Sequence, residues 1–343
     1  MLNGIINVYK PAGFTSFDVV AKLRGIIHQK KIGHTGTLDP EAVGVLPVCL
    51  GNATRVCELL TDRSKTYEAL VAIGVETDTQ DLSGSIISIK AANGLCEADF
   101  TKAARAFIGE YDQLPPMYSA KKVNGKKLYE LARQGIEIER KPSKVVIHSL
   151  EVMDFGVFNL DDYLAGSMQV TGDENKSWQL ILPKNSECDL NEITKTGVIF
   201  TKLVVSCSKG TYIRTLCHDI GKRLELGACM AALKRVKAGP FLVENALTID
   251  EIQQLSDSGR LEAEALLSTD SVFMEYPAVH VKSENEKALY NGNELKAEFL
   301  SESDRGALKN TDFCRVYDSS NVFKAVYCIK DNGRYLKPYK MFL

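Results

Sequence analysis

The sequence lacks the features that mark secreted or membrane-embedded chains. Its N-terminus has no basic stretch followed by a long apolar run, so it predicts no signal peptide. No segment approaches the roughly 20 consecutive apolar residues that a membrane-spanning helix requires. We therefore expect a cytoplasmic protein with no membrane partner.

Cysteine patterns that bind metals or form disulfide frameworks are also missing. The nine cysteines are odd in number and irregularly spaced, and no two of them form a C-x-x-C pair. No Cys/His group has the spacing of a zinc site. We interpret the cysteines as reduced thiols, mostly small core residues, and predict no metal site.

The chain has no large excess of charge of either sign, since its net charge is only −2. The charges are nevertheless segregated. Residues 201–240 hold eight Lys/Arg and two Asp/Glu, whereas residues 151–200 hold nine acids and three lysines. This pattern permits a basic face that binds nucleic acid, although ordinary solvated surfaces would look the same.

What the chain does have is enough length and apolar content for a substantial core. Its 343 residues, 45% of them hydrophobic, predict one large domain followed by a small one. No internal repeat or low-complexity segment is present.

The N-terminal quarter predicts strands around one helix and one shaped loop. Residues 1–10 read as a strand, and Thr15 or Ser16 would cap a helix with periodic apolar residues. Residues 33–47 are rich in Gly and Pro, which predicts an exposed loop. A strand at 45–50, a helix near 54–60 and an alternating strand at 65–74 are expected to follow.

Further along, helices are predicted at 98–107, 128–134 and 211–224, and a helical stretch at 231–235 is expected to end at Gly239-Pro240. After about residue 270, short strand-like runs at 278–281, 314–317 and 323–329 are separated by Gly-containing turns. They predict a small β-rich C-terminal domain.

Asp39 is the first candidate for chemistry. It follows a loop rich in Gly and Thr and precedes Pro40, a setting that could hold a carboxylate exposed and fixed. An Asp before Pro is also common in simple turns, so both readings stay open from these residues alone.

Residues 33–40, GHTGTLDP, closely resemble the active-site segment of the TruB family of tRNA pseudouridine synthases. Four other segments resemble further motifs of this family in the same order. They are residues 7–16 (NVYKPAGFTS), 65–68 (KTYE), 210–216 (GTYIRTL) and 233–241 (LKRVKAGPF). The last segment departs from the family's Arg-Arg-Thr, since it reads Lys234-Arg235-Val236.

The resemblance implies an enzyme that isomerises uridine to pseudouridine in the T-arm loop of tRNA, at position 55. Asp39 corresponds to the essential aspartate, which either attacks the ribose C1′ or takes a proton from C2′. Arg214 corresponds to the arginine that pairs with this aspartate and keeps it ionised. No cofactor is implied, because nothing is oxidised and no group is imported.

The resemblance also implies residues that bind the RNA. Tyr67 corresponds to the residue that stacks on the flipped-out base, and Tyr212 and Leu233 to residues that line the pocket. His34 corresponds to the histidine that fills the space left by the flipped nucleotide. Lys121, Lys122, Lys126 and Lys127 lie where the family has a flexible insertion that closes over RNA, and lysine clusters suit phosphate contacts.

The implied fold is α+β: a mixed, largely antiparallel central sheet with flanking helices, the pseudouridine synthase fold, plus a small β-rich domain of the PUA type. The catalytic domain would span 1–270, with the basic insertion at about 115–144 and an acidic elaboration at about 155–198. The PUA-like RNA-binding domain would span 275–343.

Three alternatives are considered. A triad of Cys217, His218 and Asp219 is rejected, because consecutive helical residues point about 100° apart. A non-catalytic RNA-binding module is disfavoured, because Asp39, Tyr67 and Arg214 are all present. A relative of the guide-RNA-dependent enzymes related to dyskerin would carry lysine-rich tails, so a monomer that acts on tRNA without an obligatory protein partner is expected.

Overall fold

The computed structural model describes residues 1–119, 121–123, 125–132, 134–160, 180–181, 186–309 and 311–343. Elements are numbered over these residues. The helices are α1 (Ser16–Ile27), α2 (Cys57–Thr61), α3 (Glu97–Arg105), α4 (Leu128–Ala132), α5 (Ser186–Thr196), α6 (Ile213–Arg223), α7 (Ile249–Asp257), α8 (Leu261–Glu264), α9 (Glu286–Tyr290) and α10 (Glu302–Arg305).

Most strands belong to one large sheet and one small sheet. The strands are β1 (Gly4–Lys10), β2 (Ile32–His34), β3 (Val43–Leu50), β4 (Lys65–Ile73), β5 (Val75–Thr77), β6 (Ile86–Ile89), β7 (Gly109–Gln113), β8 (Lys122–Val123), β9 (Lys126–Lys127), β10 (Ser143–Met153), β11 (Ile199–Cys207), β12 (Ala228–Ala238), β13 (Phe241–Leu242), β14 (Ala278–His280), β15 (Leu295–Lys296), β16 (Phe313–Tyr317), β17 (Phe323–Lys330) and β18 (Tyr335–Met341).

The large sheet has nine strands and the order β1-β3-β12-β4-β11-β10-β7, with β2 paired to β3 and β13 paired to β12. Only the β3–β12 pair is parallel, and the other pairs are antiparallel. The predicted mixed, largely antiparallel central sheet is therefore confirmed. The C-terminal residues form a five-stranded sheet in the order β14-β16-β17-β18-β15, which confirms the β-rich character predicted there.

The prediction of a helical stretch at 231–235 is wrong. These residues lie within β12, which pairs with β4 on one side and with β3 on the other. Ala, Leu, Lys and Arg all favour helices in isolation. Their burial between two strands of the central sheet overrides that local preference.

The loop predicted at 33–47 is also shorter than expected. Its beginning belongs to β2 and its end to β3, which leaves residues 35–42 as the connection between them. We call this connection the aspartate loop. The capped helix near Thr15 is confirmed, because the Thr15 side chain accepts a hydrogen bond from the backbone N–H of Asp18, whose carboxylate binds back to Thr15.

Apolar clusters cover both faces of the large sheet. One cluster joins β4, β11 and β12 to α3 and α6, and another joins β1 and β3 to α1 and α7. A third cluster connects the large sheet to the C-terminal sheet. It includes Val43 and Phe241 on one side and Val326 and Phe342 on the other. The site described below lies where β3, β4 and β12 meet.

No helix of the described residues is long and apolar enough to cross a membrane. Most of the acidic stretch predicted as an elaboration lies outside the described residues, since residues 161–179 and 182–185 are not described.

Candidate active site

Hydrogen bonds hold the aspartate loop against the N-terminal end of α1 and against the turn that precedes this helix. The backbone N–H of Leu38 donates a hydrogen bond of 2.9 Å to Ser16 Oγ. The N–H of Gly13 donates one of 3.0 Å to the carbonyl of Pro40. Because these contacts lie on both sides of Asp39, they fix the backbone that carries its carboxylate.

Lys10 fastens the same loop from inside. It is fully buried, and its Nζ donates to the carbonyl oxygens of Pro11 (2.9 Å), Phe14 (2.6 Å) and Pro40 (2.8 Å). Burial lowers the pKa of Lys10 to about 8, although nearby acidic groups oppose the change. The buried ammonium thus ties the opening strand to the residue that follows Asp39.

Arg214 joins two carboxylates that are far apart in the sequence. It lies in the first turn of α6, and its Nη2 is 2.7 Å from Asp39 Oδ2. Its Nη1 is 3.2 Å from Asp81 Oδ2. The Arg214 side chain is only 7% exposed, whereas that of Asp39 is 37% exposed. The pair therefore leaves one of its carboxylates accessible to a substrate.

Asp81 is a site residue that the sequence did not reveal. Its Oδ1 accepts hydrogen bonds from Thr79 Oγ1 (2.8 Å), Ser83 Oγ (2.5 Å) and the Ser83 N–H (3.1 Å). The neighbouring Leu82 N–H binds the carbonyl of Met230 in β12, which attaches this turn to the central sheet. No residue spacing indicates that a turn at 78–84 faces α6, so sequence signals could not have identified it.

The environment of Asp39 raises the pKa of its carboxyl group above the ordinary value. Burial is the largest cause, and the negative charge of Asp81 adds to it. Arg214 and Lys10 act in the opposite direction but do not outweigh the burial. The carboxylate is thus a stronger base than an exposed aspartate, and Arg214 opposes its protonation.

Tyr67 and Leu233 stand on neighbouring strands next to the aspartate loop. Tyr67 lies in β4, and Leu233 lies in β12 opposite Ala69, so both side chains project from the same face of the sheet. They belong to one apolar cluster with Leu38 and are 9% and 7% exposed. The structure therefore brings both predicted pocket residues to the loop that carries Asp39.

Arg235 is a second residue whose role sequence analysis did not assign. It is only 1% exposed, and its Nε donates to the carbonyl of Val45 at 2.7 Å. Its Nη2 lies 3.4 Å from the carbonyl of Gly36. It also lies opposite Tyr67 in the β4–β12 register, and its charge opposes the rise that burial causes in the pKa of Tyr67. Arg235 is therefore placed between β3, β4 and the aspartate loop.

Gly44 permits the close approach of β3 to β12. It pairs with Arg235, has a φ of +107°, and a Cβ built there would lie 2.3 Å from the Arg235 carbonyl oxygen. A side chain at this position would therefore force the two strands apart at the point where the guanidinium enters the site.

Tyr212 is held through its backbone. Its N–H donates to Gln113 Oε1 at 2.8 Å, and its carbonyl accepts from Gln113 Nε2 at 2.9 Å. Gln113 is 1% exposed, so this contact is shielded from water. Because Tyr212 is the residue before α6, Gln113 positions the start of the helix that carries Arg214.

His34 is the last residue of β2, where it pairs with Val48. It precedes Asp39 by five residues, at the start of the aspartate loop. Its Nδ1 accepts a hydrogen bond of 3.3 Å from the Gly36 N–H. Burial lowers the pKa of this half-buried histidine, which therefore favours its neutral form at neutral pH.

The predicted RNA-closing segment is described in part. Lys121 Nζ donates to Ser143 Oγ at 2.5 Å, and Lys126 is exposed on a short hairpin of β8 and β9. The side chains of Lys122 and Lys127 lie outside the described residues. The four lysines were predicted to contact the RNA backbone, and that remains a prediction.

The rejection of a Cys217-His218-Asp219 triad is consistent with the geometry. Cys217 is buried in the core, and the Asp219 carboxylate accepts a hydrogen bond from the Tyr111 hydroxyl. His218 Nδ1 is 4.0 Å from Glu76 Oε1. No hydrogen bond joins these three described side chains to one another, so they do not form a proton relay.

The arrangement can hold a flat ring beside a fixed carboxylate. Asp39 is the more accessible of the two carboxylates, since that of Asp81 is held by Arg214, Thr79 and Ser83. A mixed sheet that carries an arginine-paired aspartate beside an aromatic and an aliphatic side chain is the arrangement that the resemblance to pseudouridine synthases implied. Enzymes of that class detach uracil from its ribose and reattach it through carbon.

The comparisons with known proteins identify the family. Residues 24–167 match the N-terminal domain of TruB family pseudouridylate synthases, and residues 214–273 match the tRNA pseudouridylate synthase B C-terminal domain. The chain belongs to the TruB family of pseudouridine synthases. The resemblance of its motifs to that family is thereby confirmed.

Two relatives illustrate how much of the chain the similarity covers. Both are named tRNA pseudouridine synthase B. The protein of Lachnoclostridium phytofermentans is 45% identical over 342 residues, which is 100% of each chain. The protein of Alkaliphilus oremlandii is 40% identical over 304 residues, which covers 87% of this chain and 85% of the relative.

Solved structures with the same fold come from complexes with several components. A crystal structure of a Cbf5-Nop10-Gar1 complex matches with a TM-score of 0.63 and 23% identity, covering 99% of this chain and 85% of that one. An H/ACA RNP bound to a substrate RNA containing 2′-deoxyuridine matches with a TM-score of 0.61 and 21% identity, covering 99% and 85%. These similarities concern the fold alone.

Proposed function

We propose that this tRNA pseudouridine synthase isomerises the uridine at position 55, in the T-arm loop of tRNA. A relative that matches the full length of the chain is named tRNA pseudouridine synthase B, and so is a second relative that covers 94% of it. These names support tRNA as the substrate. The T-arm position rests on the resemblance of residues 33–40 and the four other motifs to that family.

The observation that carries the proposal is the accessible Asp39 carboxylate, paired with Arg214 at 2.7 Å beside Tyr67 and Leu233. A flipped-out uracil would lie against these two side chains, at a position we call the slot, and the Tyr67 ring would replace its lost stacking. The carboxylate then faces the ribose that is attached to the base.

Two routes lead from this geometry to the product. In one, Asp39 attacks C1′ and forms an ester, while in the other it removes the proton on C2′. Both break the C1′–N1 bond and leave its electron pair on the uracil ring. The ring turns, C5 bonds to C1′, and the aspartate is released or the C2′ proton returned. C5 then loses its proton to solvent while N1 takes one up, which gives the N1–H of the product.

Other residues would bind the rest of the RNA. His34 would fill the space that the flipped nucleotide leaves, and Tyr212 would line the pocket. Lys121, Lys122, Lys126 and Lys127 would contact the phosphate backbone as the segment 115–144 closes over the loop. The PUA-like domain, residues 275–343, would contact RNA outside the T-arm loop.

We propose that the enzyme acts as a monomer in the cytoplasm, without a cofactor or an obligatory protein partner. A guide-RNA-dependent enzyme is the second candidate, because one matched structure is an H/ACA RNP bound to a substrate RNA and another is a Cbf5-Nop10-Gar1 complex. Purified protein that converts a bare T-arm stem-loop would support the first candidate. Activity that requires added proteins would support the second.

Release of tritium from tRNA transcripts labelled at C5 of uridine tests the reaction directly. Wild type is expected to release one tritium per transcript, and Asp39→Asn is expected to release none. Asp257→Asn, an exposed aspartate at the end of α7, is the matched control and should behave as wild type. Equal release by wild type and Asp39→Asn would exclude the proposed role of Asp39.

A further inference from the structure

Arg235 is a buried cation that forms no ion pair with an acidic side chain in the described part of the chain. It is 1% exposed, and among the described residues no carboxylate forms an ion pair with it within 4.0 Å. Its printed hydrogen-bond acceptors are the neutral carbonyls of Val45 and Gly36. Buried arginines are ordinarily paired, so a charge left uncompensated beside a reaction centre calls for a reason.

The guanidinium lies beside Tyr67, which we place against the flipped base. Arg235 and Tyr67 are opposed in the β4–β12 register, and the positive charge of Arg235 opposes the rise that burial causes in the pKa of the Tyr67 hydroxyl. Lys65, two residues before Tyr67, is also buried, and its Nζ binds the carbonyls of Thr61 and Arg63. Both charges are thus oriented by neutral dipoles and remain free to act on the slot.

Positive charge on this side of the slot matches the charge that the reaction creates. When the C1′–N1 bond breaks, its electron pair stays on uracil, whether Asp39 attacks C1′ or removes the C2′ proton. A preorganised charge in a water-poor site stabilises such an anion far more than it would in water.

We propose that Arg235 is a positioning residue that fixes Tyr67 against the flipped base and supplies the positive charge that stabilises the detached uracil anion. Its burial prevents contact with substrate, so it acts through the Tyr67 hydroxyl and through its field. The inference deepens the proposed function and rests on it, since it assigns a role within that same reaction.

The test compares two leaving groups in single-turnover reactions at saturating enzyme. The substrates are T-arm stem-loops with uridine or 5-fluorouridine at the target position, and disappearance of the N-linked nucleoside is measured by chromatography. Fluorine withdraws electrons, so 5-fluorouracil carries negative charge more easily and needs less help from the protein. Arg235→Gln, which removes the charge, is expected to slow the uridine reaction by roughly 10²–10³-fold, the size found for one electrostatic contact in other enzymes.

The slowing by Arg235→Gln should be at least about tenfold smaller with 5-fluorouridine, because the charge matters less there. Arg235→Lys keeps the charge and loses the planar fork, so it should slow both substrates by similar factors. Lys237→Gln removes an exposed cation from the same strand and should leave both rates within about threefold of wild type. Equal slowing of both substrates by Arg235→Gln would overturn the charge role.

A second measurement keeps the proposal testable if Arg235→Gln does not fold. Arg235→Lys and Tyr67→Phe are combined in a double-mutant cycle on the uridine reaction. If Arg235 acts through Tyr67, the double variant should be about as slow as the slower single variant. Multiplicative effects would overturn this route. If wild type modifies no uridine in any tRNA, the proposed function fails instead.

Discussion

Two buried arginines beside the proposed slot are compensated in different ways. Arg214 binds the carboxylates of Asp39 and Asp81, at 2.7 and 3.2 Å. Arg235 donates to the carbonyls of Val45 and Gly36 and lies opposite Tyr67 in the strand register. The Arg214 side therefore has two carboxylates for one cation, whereas the Arg235 guanidinium has no carboxylate paired with it among the described residues.

The difference shows how a fold separates two electrostatic tasks. On the Arg214 side, a cation orients a carboxylate and limits the rise of its pKa. On the Arg235 side, a cation that has no counter-ion can act on charge that appears only during the reaction. Lys10 resembles Arg235 in its hydrogen bonds, because the acceptors of its ammonium group are three carbonyl oxygens.

The largest expected effect comes from breaking the paired side. Arg214→Gln leaves Asp39 and Asp81 without their shared cation, so kcat should fall by at least about 10³-fold through lost orientation and protonation of Asp39. Initial rates of tritium release at saturating tRNA measure this. Arg223→Gln, an exposed arginine at the end of the same helix, is the control and should stay within about twofold of wild type. A kcat for Arg214→Gln near wild type would show that the ion pair does not support catalysis.

A smaller effect is expected from the buried Lys10, in the pH dependence of the free energy of unfolding. The pKa of Lys10 is about 8 in the folded protein and 10.5 in an unfolded chain, so the unfolded state binds more protons between these values. The cost of burying the charge is therefore present below pH 8 and is relieved as the pH rises to 10.5. For a shift of this size the relief is about 3 kcal/mol.

Urea unfolding of wild type and Lys10→Met at pH 7, 8, 9 and 10 measures that relief. The free energy of unfolding of wild type should rise relative to that of Lys10→Met across this range, while at pH 7 the variant's unpaired carbonyls still cost it stability. Lys22→Met, an exposed lysine of α1, is the control and should follow wild type at every pH. A constant difference between wild type and Lys10→Met would contradict the assigned pKa change.

The sequence predicted one side of the site better than the other. Asp39, Arg214, Tyr67 and Leu233 were all found through motif resemblance, and the structure brings them together. Nothing in local spacing joins Asp39 to Arg214, because they are separated along the chain and meet only when α6 packs beside the aspartate loop. The central sheet was likewise predicted from the resemblance.

Asp81 and Arg235 were missed for a common physical reason. Asp81 lies in a turn that sequence analysis did not single out. Its importance depends on the packing of α6 across that turn. Arg235 lies in a segment predicted as helical, which would have placed its side chain in another direction. Only the assignment of residues 228–238 to a central strand places Arg235 opposite Tyr67.

A moderate effect is expected where the backbone of the paired side is positioned. Gln113→Leu removes both hydrogen bonds to Tyr212. Its N–H is left unpaired and its carbonyl keeps only the Leu216 N–H, so the start of α6 should loosen. We expect kcat to fall by roughly tenfold, with a stability loss of about 1–3 kcal/mol. Single-turnover rates and urea unfolding measure these changes. Gln254→Leu, on the exposed surface of α7, is the control, and an equal loss in both variants would contradict a positioning role.

The smallest effect is the most specific, because it reverses sign between the two partners of Asp39. Activity requires the ionised carboxylate, so it should fall as the pH decreases through the raised pKa of Asp39. Asp81 raises that pKa and Arg214 lowers it. Asp81→Asn should therefore move the acidic limb of the pH profile of kcat to lower pH, whereas Arg214→Lys, which weakens the pair, should move it to higher pH.

Single-turnover rates between pH 5 and 8 distinguish these shifts, each expected to be about one pH unit or less. Asp78→Asn, an exposed carboxylate in the same turn, serves as the control and should leave the limb in place. Shifts in the same direction for both variants would mean that they act by disordering the loop. Opposite shifts would instead show that the balance of charge around Asp39, between Arg214 and Asp81, sets the pKa of its carboxyl group. Arg235 lacks such a balance, because no carboxylate among the described residues pairs with it.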